Sequence, residues 1–72
     1  MTREEHLGWA KDRAIAYIDR GDLIGAVASL SSDLNKHQGT AGSHPPFLFI
    51  IGMGHARDGN AYALKRWIEG FN

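Results

Sequence analysis

The sequence predicts a small all-α domain of three to four short helices: a helical hairpin, a buried third helix and an amphipathic C-terminal helix. Apolar residues recur at helical spacings of three and four near both ends of the chain. Capping residues precede the first two of these segments. No repeat, low-complexity tract or linker divides the 72 residues, so we expect one domain over residues 1–72 with a thin core.

The first helix is predicted from about residue 3 to residue 20. Thr2 and Glu5 have the spacing of a capping box, in which each side chain accepts a hydrogen bond from the other residue's backbone amide. Gly21 can adopt the left-handed conformation that ends a helix, so the helix should stop near Arg20. The apolar face is formed by Leu7, Ala10, Ala14, Tyr17 and Ile18.

A second helix is predicted over about residues 23–36, with Asp22 as its N-cap. The turn before it is very short, so the two helices should fold back as an antiparallel hairpin. Gly25, Ser29 and Ser32 are expected on its solvated face. A loop rich in glycine and proline should follow, from Lys36 to Pro46. The apolar stripe of the second helix consists of Leu23, Ala26, Val27, Leu30 and Leu34.

The segment Phe47–Met53 fits two structures. Its aromatic and β-branched residues favour a strand by propensity. A lone strand would leave its backbone groups unpaired, so we favour a short, almost fully buried helix from Pro46 to about Ala56. A strand that pairs with a second copy of the chain is the alternative. Gly52 and Gly54 are expected to let this helix approach a neighbour closely.

The last helix should follow a turn over Arg57–Asn60, capped by Asp58 or Asn60. Gly59 is expected to make this turn. Lys65, Arg66 and Glu69 should point to solvent, and Trp67 is expected in the core. The shared apolar face is formed by Ala61, Leu64, Trp67, Ile68 and Phe71.

The residue types and spacings that carry catalysis or cofactor binding are not found in the sequence. Cysteine is absent, and a glycine-rich segment over residues 52–59 lacks the Gly-Lys-Ser/Thr of a phosphate-binding loop. Acidic residues of the first helix alternate with basic ones, as on a solvated face. The four histidines, His6, His37, His44 and His55, lack ligand spacing and are expected to be exposed or capping. We expect no metal, no cofactor and no enzymatic activity.

Charge and hydropathy narrow the choice of partner. Lys plus Arg and Asp plus Glu number 8 each, so the basic excess of a nucleic-acid-binding protein is missing. A nucleic-acid alternative would use Arg57, Lys65 and Arg66. The longest apolar run is too short to span a bilayer, and the N-terminus lacks a signal-peptide core, so we expect a cytoplasmic protein.

Trp9 is the most informative single residue. On a helical wheel it lies opposite the apolar face of the first helix, on the same side as Arg13, Ala16 and Arg20. An aromatic residue flanked by arginines has the composition of a protein-interface hot spot. The alternative is that another helix covers this face and makes Trp9 part of the core. We therefore predict a partner-binding surface formed by Trp9, Arg13 and Arg20.

Five segments of the chain carry a resemblance to known proteins: Met1–Leu7, Ala10–Ala14, Asp19–Asp22, Ser32–His37 and Arg66–Asn72. They resemble short, uncharacterised helical proteins encoded by bacteriophages and prophages. The resemblance implies that the chain binds a host or phage protein and modulates it, as an inhibitor or accessory factor in the host cytoplasm. A self-assembling subunit, with the exposed part of Phe47–Met53 buried between copies, is a further alternative.

Overall fold

The computed structural model describes residues 2–36 and 47–71, and these form four α-helices. They are α1 (Arg3–Asp19), α2 (Leu23–Asn35), α3 (Phe47–Arg57) and α4 (Ala61–Glu69). The predicted all-α fold is confirmed, and the described residues contain no strand. The predicted loop lies, beyond Lys36, outside the described residues.

The helical hairpin begins and turns as its capping residues predict. Thr2 Oγ1 accepts the Glu5 amide and Glu5 Oε1 accepts the Thr2 amide, both at 3.1 Å. Gly21 ends α1 with a φ of 80°. Asp22 Oδ1 then accepts the Gly25 amide at 2.8 Å and caps α2. Local backbone chemistry therefore sets the α1–α2 turn.

The helices form a ring around a small core. α1 packs against α2 and α4, α3 packs against the same two helices, and α2 approaches α4 across the centre. α1 and α3 do not approach each other, so they lie on opposite sides of the α2–α4 pair. The core consists of Leu7, Ala10, Ala14, Ala26, Val27, Leu30, Leu34, Ala56, Leu64, Ile68 and Phe71.

α3 is a helix, as favoured, but the expectation that it is almost fully buried is wrong. Only Gly52 and Ala56 are buried, whereas Phe47, Ile50 and Ile51 are 58%, 71% and 45% exposed. The reason is that α3 is apolar on every side from Phe47 to Gly54 but packs only against α2 and α4. No other described helix covers its outer face.

Two glycines of α3 have different surroundings. A Cβ atom on Gly52 would lie 2.5 Å from Trp67 Cη2, so this glycine allows the close approach to α4 that the sequence predicts. A Cβ atom on Gly54 would meet nothing within 4 Å, so the same prediction for Gly54 is wrong. Gly54 lies on the exposed side of the helix.

α4 is capped at its N-terminus and packs into the core at its C-terminal end. Asn60 Oδ1 accepts the Ala63 amide at 3.0 Å, after a turn in which Gly59 has a φ of 68°. Phe71 stacks edge-on against Trp67, with ring centroids 4.8 Å apart, and packs into the core. Ala61, predicted on the buried face, is exposed because it begins the helix.

A lysine ties the first helix to the last. Lys11 Nζ donates to the backbone oxygen of Glu69 at 3.0 Å and also to that of Phe71. These carbonyl groups lie in and just after the last turn of α4, where a cation interacts favourably with the helix dipole. The contact therefore stabilises the C-terminal end of α4 against α1.

Candidate functional site

A buried polar cluster joins α1 to α2. His6 and Asp33 are only 6% and 1% exposed, so the expectation of an exposed or capping histidine is wrong for His6. His6 Nε2 lies 2.6 Å from the backbone oxygen of Asp33. A carbonyl oxygen can only accept a hydrogen bond, so Nε2 carries the proton and donates it. His37 and His44 lie outside the described residues.

The Asp33 carboxylate is neutralised from α1 and from its own helix. Its Oδ2 accepts a hydrogen bond from Arg13 Nε at 2.9 Å, and its Oδ1 lies 3.4 Å from Lys36 Nζ. Ser29 Oγ is the third donor, at 3.4 Å from Asp33 Oδ2. Burying a carboxylate is costly unless it is paired and hydrogen-bonded, and these three donors meet that requirement. The cluster is therefore a structural junction that fixes the position of Arg13.

Arginine and aromatic side chains alternate along the exposed side of α1. We call Trp9, Arg13, Tyr17 and Arg20 the α1 stripe. Arg13 Cζ lies 4.8 Å from the Trp9 ring centroid, and Arg20 Cζ lies 4.3 Å from the Tyr17 ring centroid. Both distances are typical of cation–π contacts. The structure thus places the three residues predicted to form a partner surface along one side of the same helix.

Trp9 is held in place although it is exposed. Its side chain retains 38% exposure, while the His6 ring lies 5.4 Å away on one side and Arg13 packs on it from the next turn. Arg13 is itself held by buried Asp33. Because these side chains are already ordered, binding a partner would cost less side-chain entropy than ordering free ones.

Tyr17 is a member of the stripe that the sequence pattern did not indicate. Its position predicted the apolar face, and in the structure Tyr17 is half-buried and packs against the core while Arg20 lies over its ring. A shallow groove beside it is lined by Arg13, Ala16, Tyr17, Asp19 and Arg20. The signal that could have found Tyr17 is that Arg20 follows it by three residues, as Arg13 follows Trp9 by four, and both spacings bring two side chains together on a helix.

The residues of the nucleic-acid alternative are divided between two helices. Arg57 ends α3, whereas Lys65 and Arg66 lie on α4. Arg66 Nη1 donates to the Tyr62 hydroxyl at 3.2 Å, and Tyr62 is 72% exposed. Glu69 lines the same groove as Lys65 and Arg66, which adds a negative charge to this side of α4.

Metal-binding and membrane-spanning features were also sought in the described part of the chain. Across residues 2–36 and 47–71, no group of three or more His, Asp or Glu side chains could hold a metal ion. None of the described helices combines the length and hydropathy needed to cross a bilayer.

No protein-family model matches the chain, and no curated protein or solved structure matches it. The function is therefore argued from the surfaces of this chain.

Proposed function

We propose that the protein is a non-enzymatic protein-binding domain whose α1 stripe contacts the partner. The observation that carries the proposal is the state of Trp9, which is 38% exposed and yet packed between His6 and Arg13. Tryptophan, tyrosine and arginine are the residues most enriched among interface hot spots. The α1 stripe contains all three within four helical turns.

The chemistry of the stripe indicates the chemistry of the partner. A guanidinium stacked on an aromatic ring keeps its in-plane N–H groups available for carboxylates. Arg13 Nε donates to Asp33, whereas the Nη atoms of Arg13 have no hydrogen-bond partner among the described residues. We infer a partner surface with an apolar pocket for the Trp9 indole and acidic side chains beside it.

The resemblance to phage proteins supports a proposal about the cellular role. Small phage proteins of this type bind host proteins or other phage proteins and modulate them. The buried His6–Asp33 cluster supports a binding role over a catalytic one, because its polar atoms face each other across the α1–α2 junction. We therefore propose an accessory protein of the inhibitor type.

Capture of partners from host lysate on the immobilised protein, followed by mass spectrometry, tests this proposal. Trp9→Ala and Arg20→Ala should each lose the captured partner. Tyr62→Ala and Arg66→Ala are the matched controls, because they remove an equivalent aromatic–arginine pair from α4. Loss of the partner with the α4 variants, and its retention with the α1 variants, would show that the α1 stripe is not the binding surface.

Arg13 is a less suitable probe than Arg20. Its removal would leave the buried Asp33 carboxylate with one strong donor fewer, so a loss of binding could follow from a loss of stability. The Arg20 side chain lies over the Tyr17 ring and makes no hydrogen bond or ion pair with the described residues, so it can be removed with little structural consequence. Circular dichroism of each variant confirms that the fold is retained.

One observation favours nucleic-acid binding as a second candidate. Tyr62 presents an exposed ring beside Arg66 and Lys65, and an aromatic ring with adjacent cations can stack a base and contact phosphates. The equal numbers of acidic and basic residues count against it. Retention on immobilised single-stranded nucleic acid at physiological salt, lost in Tyr62→Ala and kept in Trp9→Ala, would establish this candidate in place of the first.

A further inference from the structure

An exposed apolar stripe runs along the outer side of α3. Phe47, Ile50, Ile51 and Gly54 follow one another at intervals of three, one and three residues, so they share one side of the helix. We call them the α3 stripe. The three large side chains are 58%, 71% and 45% exposed. Leaving a continuous apolar patch in contact with water is unfavourable and is typical of an interaction site.

The α3 stripe contains no charge. From Phe47 to Gly54 no residue is ionisable, and the formal net charge of the whole chain is zero. The nearest charge on this side of α3 is Arg57, three residues after Gly54, and an antiparallel pairing of two copies keeps the two arginines at opposite ends of the contact. A second copy of the same stripe is matched to it, because two uncharged apolar surfaces meet without opposing like charges.

The residue order also makes the stripe complementary to itself. In an antiparallel pairing centred between Ile50 and Ile51, Ile50 of one copy faces Ile51 of the other. In the same register Phe47, the largest residue of the stripe, faces Gly54, the smallest. A Cβ atom on Gly54 would meet nothing within 4 Å, so the space above it is open to an incoming ring.

We propose that a second copy of the chain covers the α3 stripe, forming a two-fold symmetric dimer in which Phe47 of each copy packs on Gly54 of the other. Such an interface is isologous and closes on itself, so assembly stops at two copies. It does not depend on the α1 stripe, because α1 and α3 lie on opposite sides of the α2–α4 pair. Each dimer would present two α1 stripes to partners.

The dimer is weak and reversible. α3 has 11 residues, which makes it about 16 Å long, and a single pair of helices of that length buries an area at the low end of specific interfaces. Small domains commonly add oligomerisation to a thin core. Dimerisation should therefore be visible as a change of mass with protein concentration.

Analytical ultracentrifugation from micromolar to millimolar concentration tests the proposal on the full chain. The wild type should fit a monomer–dimer equilibrium. Gly54→Phe should raise the dimer dissociation constant about tenfold or more, because its ring meets Phe47 of the other copy. Phe47→Ala should raise it similarly by leaving Gly54 uncovered. The double variant Phe47→Ala/Gly54→Phe should recover most of the loss, because it exchanges the large and small positions.

Gly8→Phe is the matched control. Gly8 is also an exposed helical glycine with nothing within 4 Å of an added Cβ, and it lies on α1. This variant adds the same ring without touching the α3 stripe, so it should dimerise as the wild type does. Replacing a helical glycine also favours the helix, so both phenylalanine variants should fold.

Three outcomes would overturn the proposal. A wild type that stays monomeric up to millimolar concentration leaves the α3 stripe without a second copy. Tighter dimerisation of Gly54→Phe than of the wild type would mean that any added apolar surface promotes association, in no fixed register. Species larger than a dimer would mean that the contact does not close.

Discussion

His6 on α1 donates a hydrogen bond of 2.6 Å to the backbone oxygen of Asp33 on α2, and both residues are buried. This bond joins the two helices of the hairpin near the first turn of α1 and the last turn of α2. His6→Ala should lower the free energy of unfolding by about 2–3 kcal/mol, since it leaves a cavity and removes the donor.

A conservative variant separates packing from hydrogen bonding at this site. His6→Gln keeps a side-chain N–H group of similar reach and should recover part of the loss seen in His6→Ala. Urea denaturation followed by circular dichroism measures both. Equal losses in the two variants would contradict a role for the hydrogen bond.

Arg13→Ala should destabilise the fold, whereas Arg20→Ala should not. The first variant removes the 2.9 Å partner of a buried carboxylate, which typically costs about 1–3 kcal/mol. The second removes an exposed arginine with only an aromatic ring beneath it, so its effect should stay within about 0.5 kcal/mol. The two thermal unfolding curves, recorded in the same buffer, test this difference. Similar melting temperatures would show that the pair with Asp33 contributes little.

Gly52 and Gly54, two positions apart on α3, should respond to alanine in opposite directions. Gly52→Ala would put a methyl group 2.5 Å from Trp67 Cη2, so we expect a loss of about 1–3 kcal/mol. Gly54→Ala meets open space and should stabilise α3 by about 0.5–1 kcal/mol. Chemical denaturation of both variants measures the difference. Stabilisation by Gly52→Ala would show that the contact between α3 and α4 is looser than described.

The capping box of α1 makes stability depend on pH. Hydrogen bonds from Thr2, first from its backbone amide and then from its side chain, hold the pKa of the Glu5 carboxyl below its usual value. A carboxyl whose pKa is lower in the folded state stabilises the fold above its unfolded-state pKa. This contribution is lost as the pH falls through the folded-state pKa.

Glu5→Gln should therefore lose less stability than the wild type does as the pH falls from neutral to acidic. The comparison is of thermal unfolding of the wild type and the variant at neutral pH and at acidic pH. Glu4→Gln is the matched control, because Glu4 lies in the same first turn but is not the capping partner of Thr2. If the melting temperatures of the wild type and Glu5→Gln fell by the same amount at acidic pH, ionisation of Glu5 would not contribute to stability.

Local signals made most of the fold predictable. Thr2, Asp22 and Asn60 cap helices through atoms within three residues of themselves, and Gly21 and Gly59 adopt positive φ where the chain must turn. Such features depend on short stretches of sequence. They appear in the pattern of residue types without any knowledge of the tertiary structure.

Features that depend on distant contacts could not be predicted in the same way. The number of helices that pack against α3 decides how much of Phe47, Ile50 and Ile51 is buried. The uninterrupted apolar run from Phe47 to Met53 contains no information about that number. Asp33 lies three residues after Leu30 on the buried side of α2. A carboxylate in that position signals a buried partner, but only the packing of α1 identifies Arg13 and His6.

The proposed binding surface could be predicted in part. A helical wheel places Trp9, Arg13 and Arg20 on one side of α1, and the structure agrees with that placement. Their role in binding stays a prediction. The pattern could not reveal that Asp33 anchors Arg13, because that contact joins residues 20 positions apart in sequence.

The bonds from Lys11 to the end of α4 have a kinetic consequence. They join residues 58 and 60 positions apart, so they close almost the whole chain. The α1–α2 hairpin needs only local contacts and can form early, whereas this closure must wait for α4 to dock. Lys11→Met should therefore accelerate unfolding while leaving the refolding rate nearly unchanged, so that Lys11 acts as a latch on the completed fold.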